Sequence, residues 1–545
     1  MSDDFPSIIS ATFDRRMNNF LPLVIYFLSA TFFCSAQAPT IQWSKCYGGT
    51  DDDEAYSVLQ VSDGGYVVAG LSYSNDSDVT GNNSITGLED IWLIKLDSLG
   101  NIEWQKCLGG FSGEGAMSIK QTTDSGFIIV GYTSSNDGDV TGGGYHNSDD
   151  WWVIKTDYSA NIQWQKCYGG SWIDHEAYDV VQTPDNGYLI VGETSSNDGD
   201  VTNFHGERDY WVIKIDSAGT LQWERALGGT LDDVPYSLLL NNNSYIIVGT
   251  SISYDYDVTG NIGNYDGWIV KLDQNGITRD KKNFGGTQSD GLNCSAEINN
   301  SLYFCGGTNS NDVNVSGNHG GGDIWLVKMD TSLNLIWQKC LGGYGTEGPY
   351  QMQATSDSGF IISGISDSYD SLIQCNHGLI DGLVFKIDSL GNNQWSLCLG
   401  GSYVDELHSI KQTRDGGYIA AGFTESDDGD ITGHHGSVDD PSGRDFWVVK
   451  LAPIGLQIPE TNWLSDFSTF LDQSNKLHIN FYAGNGERTQ LQLLDITGRI
   501  ILQQPLIITV GYNNQEVDMG ELATGVYVIR LFNEERIVTK KLMKD

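Results

Sequence analysis

Between Ile41 and Leu451 the chain is a succession of short apolar runs, each bounded by clusters of Gly, Asp, Asn and Ser. Runs of this length between turn residues predict strands. Four kinds recur in order. The first is mixed, as in Tyr178-Asp-Val-Val-Gln-Thr183, and ends in a turn such as Asp63-Gly-Gly65 or Asp415-Gly-Gly417. The second, Tyr188–Gly192, and the third, Tyr210–Ile215, are apolar almost throughout, which requires burial on both faces. A polar loop, Ser196–Thr202, separates them. The turn Asp216-Ser-Ala-Gly219 then leads into the fourth, Leu221–Leu227. Gly and Asp suit these turns because they supply positive φ and local hydrogen bonds.

The unit repeats. The stretch Asp150–Gly170 has near-copies at Asp90–Gly110, Asp209–Gly229, Asp266–Gly286, Asp323–Gly343 and Asp381–Gly401. Aligned on one position, Trp43, Trp104, Trp164, Trp223, Arg279, Trp337 and Trp395 follow at intervals of 61, 60, 59, 56, 58 and 58 residues. A steady period of this size predicts a repeat architecture. Sheets stacked face to face around an axis would bury both faces of the central strands, as in a β-propeller; a solenoid would need polar capping repeats. The ends of the repeat region favour the propeller. A lone fourth strand, Ile41–Tyr47, opens it and a lone third strand, Phe446–Leu451, closes it, so one can complete the other's sheet and remove both edges. The expected fold is all-β: a seven-bladed β-propeller closed by the N-terminal strand, followed by a small C-terminal β-sandwich.

Four segments are expected: a signal peptide at 1–38, the propeller at 39–452, a linker at 453–464 and a terminal module at 465–545. Arg15 and Arg16 precede the apolar run Phe20–Phe33 and then Cys34-Ser-Ala-Gln-Ala38, the order of a secretory signal peptide cleaved after Ala36 or Ala38. In the terminal module, Leu477–Tyr482, Gln490–Leu494, Arg499–Gln503, Val526–Phe532 and Val538–Leu542 read as alternating strands.

Composition narrows the partners. The formal charge is −41 and the pI is about 4.3, without the basic footprint that nucleic acid requires. Strand alternation sends the long loops and the Gly-Gly connections between repeats to one rim. That rim would collect Asp51–Glu54, Asp174-His-Glu176, Asp232-Asp233, Asp405-Glu406 and the Asp-x-Asp loops as an acidic face. Nine cysteines in an exported chain raise the question of disulfides. Cys46, Cys107, Cys167, Cys340 and Cys398 share one repeat position, too far apart to pair with one another, and read as small buried apolar residues. Cys294 and Cys305 are placed to face each other across a hairpin. Cys375 has no evident partner.

The terminal module carries Leu493-Leu-Asp-Ile-Thr-Gly-Arg-Ile-Ile501, Leu522-Ala-Thr-Gly-Val-Tyr-Val-Ile-Arg-Leu531 and Lys540-Lys541. On Asp495, Gly498, Arg499, Gly525, Tyr527, Lys540 and Lys541 it resembles the type A C-terminal sorting domain of type IX secretion cargo in Bacteroidota. It lacks that family's Pro-Asn-Pro opening near Ser468–Asn475. The resemblance implies export by the type IX machinery, removal of the module, and release or attachment to surface lipopolysaccharide. The repeats likewise resemble the Trp-Gln-Lys-x-x-Gly-Gly repeats of proteins bearing such domains.

The candidate chemistry lies in the loops. Asp137 with Asp139, Asp198 with Asp200, Asp255 with Asp257 and Asp428 with Asp430 are candidate Ca²⁺ ligands, since paired carboxylates with nearby carbonyls suit a hard cation. The competing reading has these Asp residues capping turns through the backbone. His146, His205, His319, His377 and His434 recur at one loop position, too dispersed to share an ion, and are expected to bond the adjacent turn. A residue repeated in every unit reports unit geometry. Unique chemistry is expected where the repeat breaks: at Thr278–Lys282, at Trp172 with His175, in the Ser371–Asn376 loop and in the insertion Ser437–Arg444. No catalytic constellation is legible there. The expected function is binding or adhesion at the cell surface by a monomer, with a glycan or protein ligand. The alternatives are a polysaccharide-active hydrolase or lyase, a quinoprotein-like enzyme, and a structural surface-layer protein.

Overall fold

The structure is a computed structural model. It describes residues 38–84, 87–241, 243–369, 373, 377–436, 443–453 and 464–544, apart from 473, 484–486, 496–498, 521 and 533–536. The expected signal peptide (all but residue 38), the central part of the linker, Gly498 and Cys375 lie outside these residues.

Every named element is a β-strand. Between residues 41 and 451 the strands form seven antiparallel sheets of four. Six are built from consecutive strands, beginning with Asp53–Gln60, Glu114–Gln121, Ala177–Gln182, Asp233–Asn241, Cys294–Ile298 and Glu347–Ala354. The seventh takes Asp405–Gln412, Tyr418–Thr424 and Asp445–Leu451 from one end of the region and Ile41–Tyr47 from the other. Ile41–Tyr47 runs antiparallel to Asp445–Leu451, with Cys46 opposite Trp447 and Tyr47 opposite Phe446.

The continuous apolar character of the second and third strands is explained by burial: Tyr66–Ser72, Asp90–Leu96, Tyr188–Thr194 and Asp209–Ile215 are buried at every position. Neighbouring sheets share their cores. Val67, Leu93, Ile129 and Trp152 pack together across one junction. Val68, Trp92 and Ile94 pack with Ile419, Phe446 and Val448 across another, between the first sheet and the seventh. The largest wholly buried side chains are third-strand tryptophans, including Trp92, Trp152, Trp211 and Trp447.

The fourth-strand tryptophans have a different duty. Trp43, Trp164 and Trp223 donate Nε1–H to Ser98, Ser217 and Gln274 carbonyls in the Asp-x-x-Gly turn of the next sheet. The glycine of that turn has positive φ (Gly219 at 77°, Gly276 at 73°), and a Cβ on either would press within 3 Å of the indole. Arg279, the one departure from Trp, is matched in the next sheet's turn by Leu333, which is buried where four of the other five such turns have glycine and one has Ala160.

Cys46, Cys107, Cys167 and Cys340 are free and buried or half-buried. Cys398 corrects the expectation. It is disulfide-bonded, a state that comparing equivalent repeat positions could not reveal. Cys294 stands directly opposite Cys305, both as free thiols.

The terminal module has two sheets. One holds Leu464–Leu471, Lys476–Ala483 and Gly511–Asp518, and the other Ile500–Ile508, Glu487–Asp495, Gly525–Phe532 and Ile537–Lys544. They share a core of Leu477, Ile479, Phe481, Leu493, Val517, Ile529 and Leu531. The strands Leu464–Leu471 and Gly511–Asp518 were not predicted, since their exposed positions dilute the alternation.

Candidate functional site

The loops and connections meet at one rim, as strand alternation requires. At six of the seven connections a long-loop Asp reaches the residue just past the Gly-Gly; at the other, Asp367 accepts from the amide of Thr346. Asp76 accepts from the Thr50 amide (2.9 Å), Asp137 from Phe111 (2.9 Å), Asp198 from Ser171 (2.7 Å), Asp255 from Thr230 (2.8 Å), Asp312 from Thr287 (2.9 Å) and Asp428 from Ser402 (2.7 Å). The second member of each pair engages the same region. Asp139, Asp200, Asp257 and Asp430 donate their amides to the Gly109, Gly169, Gly228 and Gly400 carbonyls, and Asp257 also pairs with Lys281 at 2.8 Å. The first Asp of each pair thus ties its loop to the connection through its carboxylate, and the second through its backbone amide.

Beneath the rim lies a second set of acids. The third-strand Asp of one sheet and the first-strand acid of the next are buried around the first glycine of each Gly-Gly. The pairs are Asp90 with Glu114, Asp150 with Asp174, Asp209 with Asp233, Asp266 with Asp290, Asp323 with Glu347, Asp381 with Asp405, and Asp445 with Asp53. The first-strand acid accepts the amide of the second glycine: Gly49 to Asp53 at 2.7 Å, Gly170 to Asp174 at 2.6 Å, Gly401 to Asp405 at 2.7 Å. One oxygen each of Asp90, Asp150, Asp209, Asp266, Asp381 and Asp445 is buried without a hydrogen-bond donor. Burial pushes the carboxyls up: Asp53, Asp90 and Asp150 to about 7, Asp209 to about 8, Asp233 and Asp266 to about 6. The expected acidic face is corrected accordingly. Asp53, Asp174, Asp233 and Asp405 are wholly buried, and the exposed charge is carried by other loop residues.

The recurrent histidines serve this layer. His146, His205, His319 and His377 place Nδ1 3.2, 3.2, 2.7 and 3.2 Å from the third-strand Asp four residues on. In the seventh sheet His435, not His434, takes this place, 2.8 Å from Asp445. His434 meets the Gly443 carbonyl instead. Two adjacent histidines before the insertion hid the register.

Sequence reasoning missed a polar cavity of about 240 Å³ lined by the first strands of all seven sheets. Six of those strands carry a β-bulge, at 55/57, 116/118, 177/179, 235/237, 349/351 and 407/409. The extra residue is re-aimed by the bulge. These residues, Tyr56, Met117, Tyr178, Tyr236, Tyr350 and His408, all line the cavity. Four of the six are tyrosine, which a periodic reading takes for an ordinary strand position. Tyr56, Tyr178 and Tyr350 donate their hydroxyls to Glu54 (2.5 Å), Glu176 (3.1 Å) and Glu406 (2.6 Å). Elsewhere in the lining Lys120 pairs with Asp179 at 3.0 Å, and Lys411 donates to Gln351 at 2.9 Å. Burial and the neighbouring Lys120 push Lys411 down to about 7.

Lateral bonds join these strands at every junction. Val58 donates to Ser409 (3.1 Å), Ile119 to Ser57 (3.4 Å), Ser118 to Asp179 (3.4 Å) and Leu238 to Asp179 (3.1 Å). Ser237 meets Ser295 (2.8 Å), Cys294 donates to the Tyr350 carbonyl (3.3 Å), and Ile410 to Gln351 (2.9 Å).

The rim exposes aromatic side chains: Phe111, Trp172, Tyr344 and Tyr403 follow Gly-Gly connections, and Tyr254, Tyr256 and Tyr369 stand on long loops. Trp172 is 66% exposed and Tyr369 86%. Among the described residues, the grouping of three potential metal-ligating side chains is His175, Glu176 and Glu193, none of them from an Asp-x-Asp pair.

In the terminal module, Arg499 returns to Asp495 through both its amide (3.1 Å) and its guanidinium (3.0 Å), closing the turn. Asp495 pairs with Tyr527, whose hydroxyl donates to the Ala523 carbonyl at 2.7 Å. Gly525 opens that strand in extended backbone, and Lys540 and Lys541 are exposed on the last. Lys544 is buried, donating to the Met519 and Leu522 carbonyls at 2.6 and 2.5 Å.

Residues 473–545 match the family described as the secretion system C-terminal sorting domain. The chain therefore carries a type IX sorting signal, engages the type IX machinery and is exported to the cell surface or beyond it. A curated relative, the regulatory protein FlaEY of Caulobacter vibrioides, is 24% identical over 398 residues, covering 65% of this chain and 41% of its own. The chain spans less than half the length of that relative. Solved structures with partial likeness include Drosophila Plexin A in complex with Semaphorin 1b, at 6% identity and TM-score 0.38, covering 76% of this chain and 88% of that one. A Synechocystis apocarotenoid oxygenase mutant follows at 12% identity and TM-score 0.34, covering 68% and 96%.

Proposed function

We propose that the repeat region is a closed seven-bladed β-propeller working outside the cell as a glycan-binding or adhesion module, monomeric, and delivered by its sorting domain. Closure is supported by the pairing of Ile41–Tyr47 with Asp445–Leu451 and by lateral bonds at all seven junctions. The observation that carries the binding reading is the rim itself, which exposes aromatics such as Trp172, Tyr344 and Tyr403 on the loops and connections that also carry carboxylates. Flat aromatic faces stack on the apolar face of sugar rings, and carboxylates accept their hydroxyl protons. Repetition around the rim gives several shallow sites, which favours a polyvalent ligand through effective concentration. After export the sorting domain is removed, and the propeller is released or attached to surface lipopolysaccharide.

The test is a glycan array probed with the full chain, in Ca²⁺ and in EDTA. Saturable binding without turnover, weakened by Trp172→Ala, is expected. Release of a shortened product would point to a polysaccharide-active enzyme instead, and no binding at all to a structural surface layer.

A further inference from the structure

The third sheet departs from the others in two ways that converge. Between Gly170 and the bulge residue Tyr178 it has one residue more than separates Gly49 from Tyr56 or Gly229 from Tyr236, and this places His175 beside Glu176. In its second strand it carries Glu193, where the other sheets have Leu71, Tyr132, Thr250, Gly307, Ile365 and Phe423. The insertion lies in the connection just before the first strand and the substitution in the second strand, and the fold brings them together.

From this geometry we infer that His175, Glu176 and Glu193 bind one divalent transition-metal cation. One ligand atom from each lies within 4.8 Å of the other two, and His175 Nδ1 is 4.0 Å from Glu193 Oε1. An imidazole nitrogen with two carboxylate oxygens is a donor set that zinc and its neighbours accept. The surroundings fit. Tyr178 donates its hydroxyl to Glu176 Oε2 at 3.1 Å, the kind of outer bond that orients a ligating carboxylate. Arg208 is held chiefly by Asp232, at 2.8 and 2.9 Å, and takes Glu193 mainly through Oε2 at 3.1 Å. Glu176, Glu193 and Asp232 bring three negative charges against the one of Arg208, an excess that a divalent cation cancels. The side chain of Glu193 is 2% exposed and that of His175 38%. The site is therefore anchored inside and open outside. Three protein ligands leave coordination positions for solvent or for a ligand oxygen.

The test is calorimetric titration of the chelator-treated full chain with Zn²⁺, alongside His175→Ala and Glu176→Gln. The wild type should bind one equivalent that is lost, or weakened at least about tenfold, in both variants. Co²⁺ in its place should give a visible absorption band that His175→Ala abolishes. Equal stoichiometry and affinity in all three proteins, or no uptake by the wild type, would overturn the assignment. Thermal melting of the variants separates lost binding from lost folding, and Glu176→Gln gives the answer should His175→Ala fail to fold. Because the difference between variants is read, cations bound elsewhere on the rim do not enter, and the outcome is independent of the glycan reading.

Discussion

The indole of Trp223 lies against Gly276 of the next sheet, so that a Cβ at residue 276 would come 2.8 Å from the ring. This contact joins sheets through a tryptophan face and a backbone that only glycine leaves bare, at a φ of 73°.

Gly276→Ala should cost about 2 kcal/mol or more, from backbone strain plus displacement of the indole. Gly260→Ala is the control: its φ is 84°, but nothing stands within 4 Å, so it should show the strain alone. Chemical denaturation of both reads the difference. Equal losses would remove the indole contact from the explanation.

The buried acids make stability depend on pH. Their folded pKa values, about 6 to 8 for Asp53, Asp90, Asp150, Asp209, Asp233 and Asp266, lie above the ordinary value of 3.8. A raised folded pKa contributes stability that is complete below the unfolded value and lost as pH rises through the folded one. His435, raised by its bond to Asp445, acts in the same sense. Lys411, pushed down to about 7, opposes them as a single group. The Tm should therefore fall between pH 6 and 8. A Tm that is flat or rising across that window would contradict this assignment.

Removing residues 38–47 should leave Asp445–Leu451 as a bare apolar edge. The truncated chain is expected to run as oligomers or aggregates in size-exclusion chromatography while the intact chain runs as a monomer. A monomeric truncation would mean that the edge is covered by something else.

Loop pinning and Ca²⁺ binding at the Asp-x-Asp loops predict different melts. If Asp198 serves to hold Ser171, Asp198→Ala lowers the Tm slightly and EDTA leaves the wild type unchanged. A fall on adding EDTA would instead support Asp137, Asp139, Asp198, Asp200, Asp255, Asp257, Asp428 and Asp430 as cation ligands.

Much of the fold was legible because burial on two faces writes itself into composition. Runs such as Tyr210–Ile215 are apolar but for one lysine, and a tryptophan recurs, Arg279 apart, where one sheet docks on the next turn. The cavity was not legible. A β-bulge changes the aim of Tyr56 or His408 without altering the residues on either side, so a periodic reading assigns them only to a strand. Nor does a list of Asp residues say which are exposed. Asp51 and Asp53 stand two apart, yet the first is on the surface and the second is enclosed. The His175 insertion was visible as a departure from the repeat, but its convergence with Glu193 depended on which strands lie side by side.

The seventh sheet also has a temporal meaning. Its edge strand is synthesised before any other part of the repeat region, and its partner, Asp445–Leu451, after all the rest. Until that late segment arrives, the early strand has nowhere native to pair and the assembly cannot lock. Non-local pairing of this kind slows folding.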